Sequence, residues 1–140
     1  MRKSPITLFG TCAIVLLSSL ALAPAAQAAG GAIPSSKVCK DKEHPPKDAV
    51  TKGGCIVADR RKGVCINCHQ IAGAAQAGDV ATRLENVAAR FAGEDGKKRL
   101  RAQIYDARKA NPNTVMPPFG PHAMLSNDEI DQVVEFLLTL

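Results

Sequence analysis

Cys65-Ile66-Asn67-Cys68-His69 is the stretch that decides the fold of this 140-residue chain. It has the pattern C-x-x-C-H, which is typical of the covalent attachment of a c-type haem. Two thiols separated by two residues can reach the two vinyl groups at one edge of the macrocycle, and the histidine that follows then lies under the iron. The pattern therefore predicts thioether bonds from Cys65 and Cys68 and a proximal iron ligand in His69.

Cysteine pairs at this spacing have two other uses in proteins. A thioredoxin-like redox pair belongs to a βαβ unit, and no segment of this sequence shows convincing strand alternation. A zinc site needs two further ligands at metal-binding spacing, whereas His44 and His122 lie far from any such pattern. Haem attachment is the interpretation that fits the motif best.

The second axial position of such an iron is usually filled by a strong ligand, often methionine, when the haem only passes electrons. Met116 lies 47 residues after His69 in a loop with several prolines, which restrict the backbone and help to hold the sulfur in place. Met124 and His122 are the alternatives, but we expect Met124 to pack at the start of the last helix and His122 to be solvated. Met116 is the predicted distal ligand.

The hydrophobic pattern predicts a small, all-helical, single domain. The predicted helices span about residues 55–62, 84–91, 97–109 and 126–138, and residues 71–79 and 111–124 are expected to be loops. Gly63 is expected to end the first of these helices. Ser126 and Glu129 match the capping box S-x-x-E, so the last helix is the most clearly defined.

Residues 1–28 are predicted to be a cleaved signal peptide. Arg2 and Lys3 precede an uncharged apolar run, and Ala26-Gln27-Ala28 has the A-x-A form of a cleavage site. A membrane anchor is the alternative, but the run is shorter than the about 20 residues of a spanning helix. We expect export to the periplasm with no membrane insertion after cleavage, an irregular arm over residues 29–54 and a cytochrome c domain over residues 55–140.

Removing 28 of the 140 residues takes away two positive charges and reduces the net charge from +5 to +3. This mild basicity, without a basic patch interleaved with aromatic residues, argues against nucleic acid as a partner. The basic runs at 60–62 and 97–99 are interpreted as solvated surface, with an acidic redox partner as the alternative.

Cys39 and Cys55 lie outside the haem motif and are separated by 16 positions. An oxidising compartment favours a disulfide between them, which would stabilise the fold by about 3 kcal/mol in the loop-entropy model. Free thiols and a bond to another subunit are the alternatives.

The sequence resembles the SoxX family, the monohaem subunits of the SoxAX cytochromes of bacterial sulfur oxidation. The similarity is densest in the segment around Met116 and runs through residues 31–34, 61–63, 65–70, 78–80, 90–91, 100–107, 111–120 and 128–130. It implies a class I c-type cytochrome fold around one covalent haem, with His69 and Met116 as axial ligands. Many such cytochromes have a proline whose carbonyl accepts the ring N–H of the proximal histidine; Thr82 occupies that position here and is expected to supply the carbonyl.

The resemblance also implies a function. The chain would be the electron-transfer subunit of a heteromeric L-cysteine S-thiosulfotransferase and would not be catalytic alone. Its expected partners are a SoxA-type haem subunit, a SoxYZ-type carrier whose cysteine is coupled to thiosulfate, and a downstream cytochrome that accepts the electrons. A free-standing periplasmic electron shuttle is the alternative, and a haem peroxidase would require an open iron site, against which Met116 argues.

We expect the exported protein to have the mass of the chain that begins at Ala29 plus one haem. Intact-mass spectrometry under non-reducing conditions should also find it lighter, by two hydrogen atoms, than the reduced protein, because of the bond between Cys39 and Cys55. A mass without haem would contradict the interpretation of the motif, and equal masses would contradict the disulfide.

Overall fold

The computed structural model describes residues 31–140, and the predicted signal peptide lies outside them. The described residues form helices and turns without a strand, which confirms the all-helical class. The five α-helices are α1 (Ser36–Lys40), α2 (Ala49–Ala58), α3 (Val87–Arg90), α4 (Gly93–Tyr105) and α5 (Asn127–Leu137), and two 3₁₀ turns span Cys65–Asn67 and Ala107–Lys109. None of the helices in this part of the chain is long and apolar enough to cross a membrane.

The pairing of α2 with α5 builds the centre of the molecule. Gly53 of α2 lies so close to α5 that a Cβ atom there would be 1.9 Å from the carbonyl oxygen of Gln132. This close approach brings the apolar faces of the two helices together. The largest fully buried side chains of the core include Val57 of α2 and four residues of α5: Ile130, Val133, Val134 and Phe136.

The start of α5 confirms the predicted capping box. The Ser126 hydroxyl accepts a hydrogen bond from the Glu129 amide at 3.2 Å, and the Glu129 carboxylate accepts one from the Ser126 amide at 2.9 Å. The same carboxylate pairs with the ammonium of Lys62, just before the C-x-x-C-H motif. These contacts with Lys62 and with the Ser126 amide lower the pKa of Glu129, and they join the segment before the motif to the last helix.

The helix before the motif differs from its predicted bounds at both ends. Helix α2 begins at Ala49, where the Asp48 carboxylate accepts a hydrogen bond from the Thr51 amide at 2.7 Å. The sequence pattern does not indicate this start, because glycine disfavours helix. Gly53 nevertheless lies within α2, where its missing side chain allows the close packing on α5. The helix ends at Ala58, so Gly63 is not its terminal glycine.

The segment predicted to be an irregular arm contains α1 and the first part of α2. Cys39 of α1 and Cys55 of α2 form a disulfide, with their Cα atoms 5.4 Å apart. The Ile33 amide also donates to the carbonyl of Ala72 at 3.0 Å. The arm is therefore fixed to the domain both by a covalent bond and by a backbone hydrogen bond.

The two middle helices also have shifted bounds. Helix α3 covers only Val87–Arg90 of the predicted residues 84–91, and α4 begins at Gly93 and ends at Tyr105. The end at Tyr105 has a local cause, since the Asp106 carboxylate accepts hydrogen bonds from the Arg108 amide and guanidinium. Residues Ala107–Lys109 then form a 3₁₀ turn, and the predicted loops 71–79 and 111–124 contain no helix.

Gly53→Ala should lower the free energy of unfolding by about 3 kcal/mol, because the added methyl group overlaps the backbone of α5. Helix propensity alone would change stability in the opposite direction by about 1 kcal/mol. Lys52→Ala, at an exposed position of the same helix, is the matched control. Denaturant titration of both variants measures the difference, and a stabilised Gly53→Ala protein would contradict the close packing of α2 on α5.

Candidate haem site

The C-x-x-C-H motif forms a tight turn that presents both cysteines. The amides of Cys68 and His69 donate to the carbonyl of Cys65 at 3.2 and 2.9 Å, which closes the turn. Val64, just before it, has a φ of 53°, an unusual conformation for a β-branched residue. Cys65 and Cys68 are both free thiols on this one turn.

The two thiols have different surroundings. The side chain of Cys65 packs against the hydrophobic core, although the residue as a whole is partly exposed. Burial of its sulfur penalises the thiolate and raises the pKa of Cys65 to about 12.

The loop after the motif lies directly on the turn. The Gly78 amide donates to the carbonyl of Ile66 at 2.9 Å, and a Cβ atom at Gly78 would be 2.1 Å from the carbonyl oxygen of Asn67. Only a residue without a side chain fits this contact. Gly78 belongs to the family resemblance, but this contact was not predicted. The available signal was a glycine ten residues after Cys68.

The same loop also contacts the ring of His69. Its Nδ1 lies 2.6 Å from the carbonyl oxygen of Thr82, and the Ala81 amide donates to the carbonyl of Cys68 at 3.0 Å. A carbonyl oxygen can only accept, so Nδ1 carries a proton, and in the neutral ring the lone pair is on Nε2. This is the arrangement in which a histidine binds a metal through Nε2 while its other nitrogen is fixed by a carbonyl group.

The structure distinguishes the two methionines. Met116 is partly buried and packs against the same hydrophobic core as Cys65, whereas Met124 is exposed over 38% of its surface. The loop that contains Met116 is joined to the end of α4, since the Gly120 amide donates to the carbonyl of Tyr105 at 3.0 Å. His122, the third sequence candidate, is exposed.

These residues together fit a c-type haem. Two free thiols lie on one turn, an imidazole beside them has an available Nε2, and a thioether side chain lies against the core that the turn also contacts. An electron-transfer c-type haem is attached through two cysteines, and its iron is bound by an imidazole and by the thioether sulfur of a methionine. The assignment of His69, Met116 and Thr82 to individual roles remains a prediction.

The comparisons with known proteins agree with this chemistry. The cytochrome c family model matches residues 56–140, and no curated protein matches the chain. Among solved structures, the chain is similar to SoxXA from P. pantotrophus, with 23% sequence identity and a TM-score of 0.56 over 64% of this chain and 79% of that one. At that identity the likeness shows the fold, which is that of a small class I c-type cytochrome. With the family model covering more than half of its length, the chain belongs to the cytochrome c family, whose members carry covalently bound haem c and transfer electrons.

Proposed function

We propose that this protein is the one-haem electron-transfer subunit of a SoxAX-type complex. The observation that carries the haem assignment is the His69 ring, whose Nδ1 lies 2.6 Å from the Thr82 carbonyl and which directly follows the two free cysteines of the motif. Membership of the cytochrome c family supports electron transfer. The SoxAX-type assignment is supported by the sequence resemblance around Met116 and by the similarity of the fold to SoxXA.

In this proposal each residue of the site has one task. Cys65 and Cys68 would form the thioether bonds, and His69, through Nε2, and Met116 would bind the iron. The haem supplies an iron that changes between the ferric and ferrous states. The neutral thioether of Met116 favours the ferrous state and so raises the reduction potential.

With both His69 and Met116 as ligands, the iron would have no position for a substrate. Electrons would therefore enter and leave by contact with other proteins, and two apolar side chains close in sequence to the site residues are exposed. Val115, adjacent to Met116, is 93% exposed, and Val80, two residues before Thr82, is 77% exposed.

The proposed reaction belongs to the complex rather than to this chain. A SoxA-type subunit would couple thiosulfate oxidatively to the cysteine of a SoxYZ-type carrier, and this chain would take the electrons and pass them to a downstream cytochrome. All of these proteins would act in the periplasm, which the predicted signal peptide supports. A free-standing periplasmic electron shuttle would have the same site but no dedicated partner.

Met116→Ala should open the distal position of the iron. We expect the ferrous variant to bind carbon monoxide readily and its reduction potential to fall, because a sulfur ligand has been lost. Met124→Ala is the matched control and should keep the spectrum and potential of the unmodified protein. Visible spectroscopy and a redox titration measure both effects. If Met124→Ala binds carbon monoxide and Met116→Ala does not, Met124 is the distal ligand.

The isolated protein should not be reduced by thiosulfate. We expect rapid haem reduction only when a SoxA-type subunit and a SoxYZ-type carrier are added, and gel filtration should show a stable complex with the SoxA-type subunit. Omission of each component in turn is the control. Thiosulfate-dependent reduction of the isolated chain, or no association with the SoxA-type subunit, would favour the free-standing shuttle instead.

A further inference from the structure

Arg60, the first residue of the basic run 60–62, is exposed, yet hydrogen bonds fix its side chain. Its guanidinium donates hydrogen bonds to three oxygen atoms: Oδ1 of Asn67 at 2.8 Å, the carbonyl of Ala75 at 3.0 Å and the carbonyl of Gln76 at 2.7 Å. The Asn67 amide group donates back to the Arg60 carbonyl at 3.4 Å. Arg60 therefore connects the segment after α2, the attachment turn and the loop that follows it.

The partners of Arg60 show that its shape matters more than its charge. Within the described residues no carboxylate forms an ion pair with it. All three acceptors are neutral oxygens, which a planar guanidinium can bridge and an ammonium group cannot bridge in the same geometry. Gln76 also has a φ of 53°, a conformation that is uncommon outside glycine and asparagine and that the hydrogen bond to its carbonyl helps to hold.

The loop held by Arg60 leads directly to the acceptor of the histidine ring. Gln76 is followed by Gly78, which lies on the attachment turn, and then by Ala81, whose amide binds the carbonyl of Cys68 at 3.0 Å. The next residue, Thr82, accepts from Nδ1 of His69 at 2.6 Å. The guanidinium thus joins Asn67 of the turn to Gln76, the residue at which this path begins.

We propose that Arg60 is a positioning residue for the proximal histidine, which holds the loop 75–82 on the attachment turn so that the Thr82 carbonyl keeps its hydrogen bond to His69. This inference rests on the proposed role of His69 as an iron ligand. A firm hydrogen bond at Nδ1 makes the imidazole a stronger donor to the iron and stabilises the ferric state. Loosening of the loop weakens that hydrogen bond, and the reduction potential rises.

The test compares Arg60→Met with Arg61→Met in the haem-loaded protein. Methionine retains an apolar stem and removes every donor, and Arg61 is the matched control because its side chain is 93% exposed and its Nε is 4.0 Å from the nearest carboxylate oxygen, that of Asp59. In the reduced protein we expect the Nδ1 proton of His69 to exchange with solvent about tenfold faster in Arg60→Met, as local opening becomes easier. The potential should rise in the same variant, and Arg61→Met should change neither quantity.

Two further variants distinguish positioning from general stabilisation. Arg60→Lys should give intermediate values of the proton exchange rate and the reduction potential, because lysine retains the charge but not the planar guanidinium with its several N–H donors. Asn67→Ala removes one of the three acceptors and should shift both quantities in the same direction by less, which keeps the test possible if Arg60→Met folds poorly. If Arg60→Lys has the proton exchange rate and reduction potential of the unmodified protein, the planar geometry of the guanidinium is not required.

The result that would overturn the proposal is an Arg60→Met protein that is less stable but has the proton exchange and potential of the unmodified protein. That outcome would make Arg60 a structural residue only. An unmodified protein without covalent haem would overturn the proposed function together with this inference, and its absorbance spectrum would show this before any variant is compared.

Discussion

The position of the loop 75–82 against the attachment turn is the constraint on which the rest of the site depends. A Cβ atom at Gly78 would be 2.1 Å from the Asn67 carbonyl, and the Gly78 amide is bonded to the carbonyl of Ile66 at 2.9 Å. The loop cannot move closer, and it cannot move away without breaking that hydrogen bond. The Thr82 carbonyl, which accepts from the ring of His69, belongs to this loop, so the position of the loop sets the direction of the imidazole.

The remainder of the fold supports this contact with few apolar residues. The core of the described part is mostly aliphatic, and Phe119 and Phe136 are its buried aromatic side chains. Small domains of this kind often depend on covalent links or a cofactor for stability. Here the disulfide between Cys39 and Cys55 fixes α1 to α2, and haem attached through Cys65 and Cys68 would add apolar volume next to the core.

Local signals in the sequence predicted the parts of the structure that are local in origin. The capping box of Ser126 and Glu129 involves residues three positions apart, and the sequence identified the start of α5 correctly. The start of α2 could not be predicted because the close fit of Gly53 depends on α5, far away in the chain. The structural use of Arg60 was missed for the same reason, since its acceptors lie seven to 16 positions away and a run of basic residues usually indicates solvated surface.

The two proposed axial ligands are held by different means. The surroundings of His69 form within a short stretch of chain, because the Thr82 carbonyl is 13 positions away. The position of Met116 depends on more distant contacts. The Gly120 amide of its loop donates to the Tyr105 carbonyl at the end of α4, and α4 packs on α5. Contacts that close long loops require more of the tertiary fold than local ones. The proposed coordination by Met116 would therefore depend on the complete fold, while the attachment turn and His69 form a more local unit.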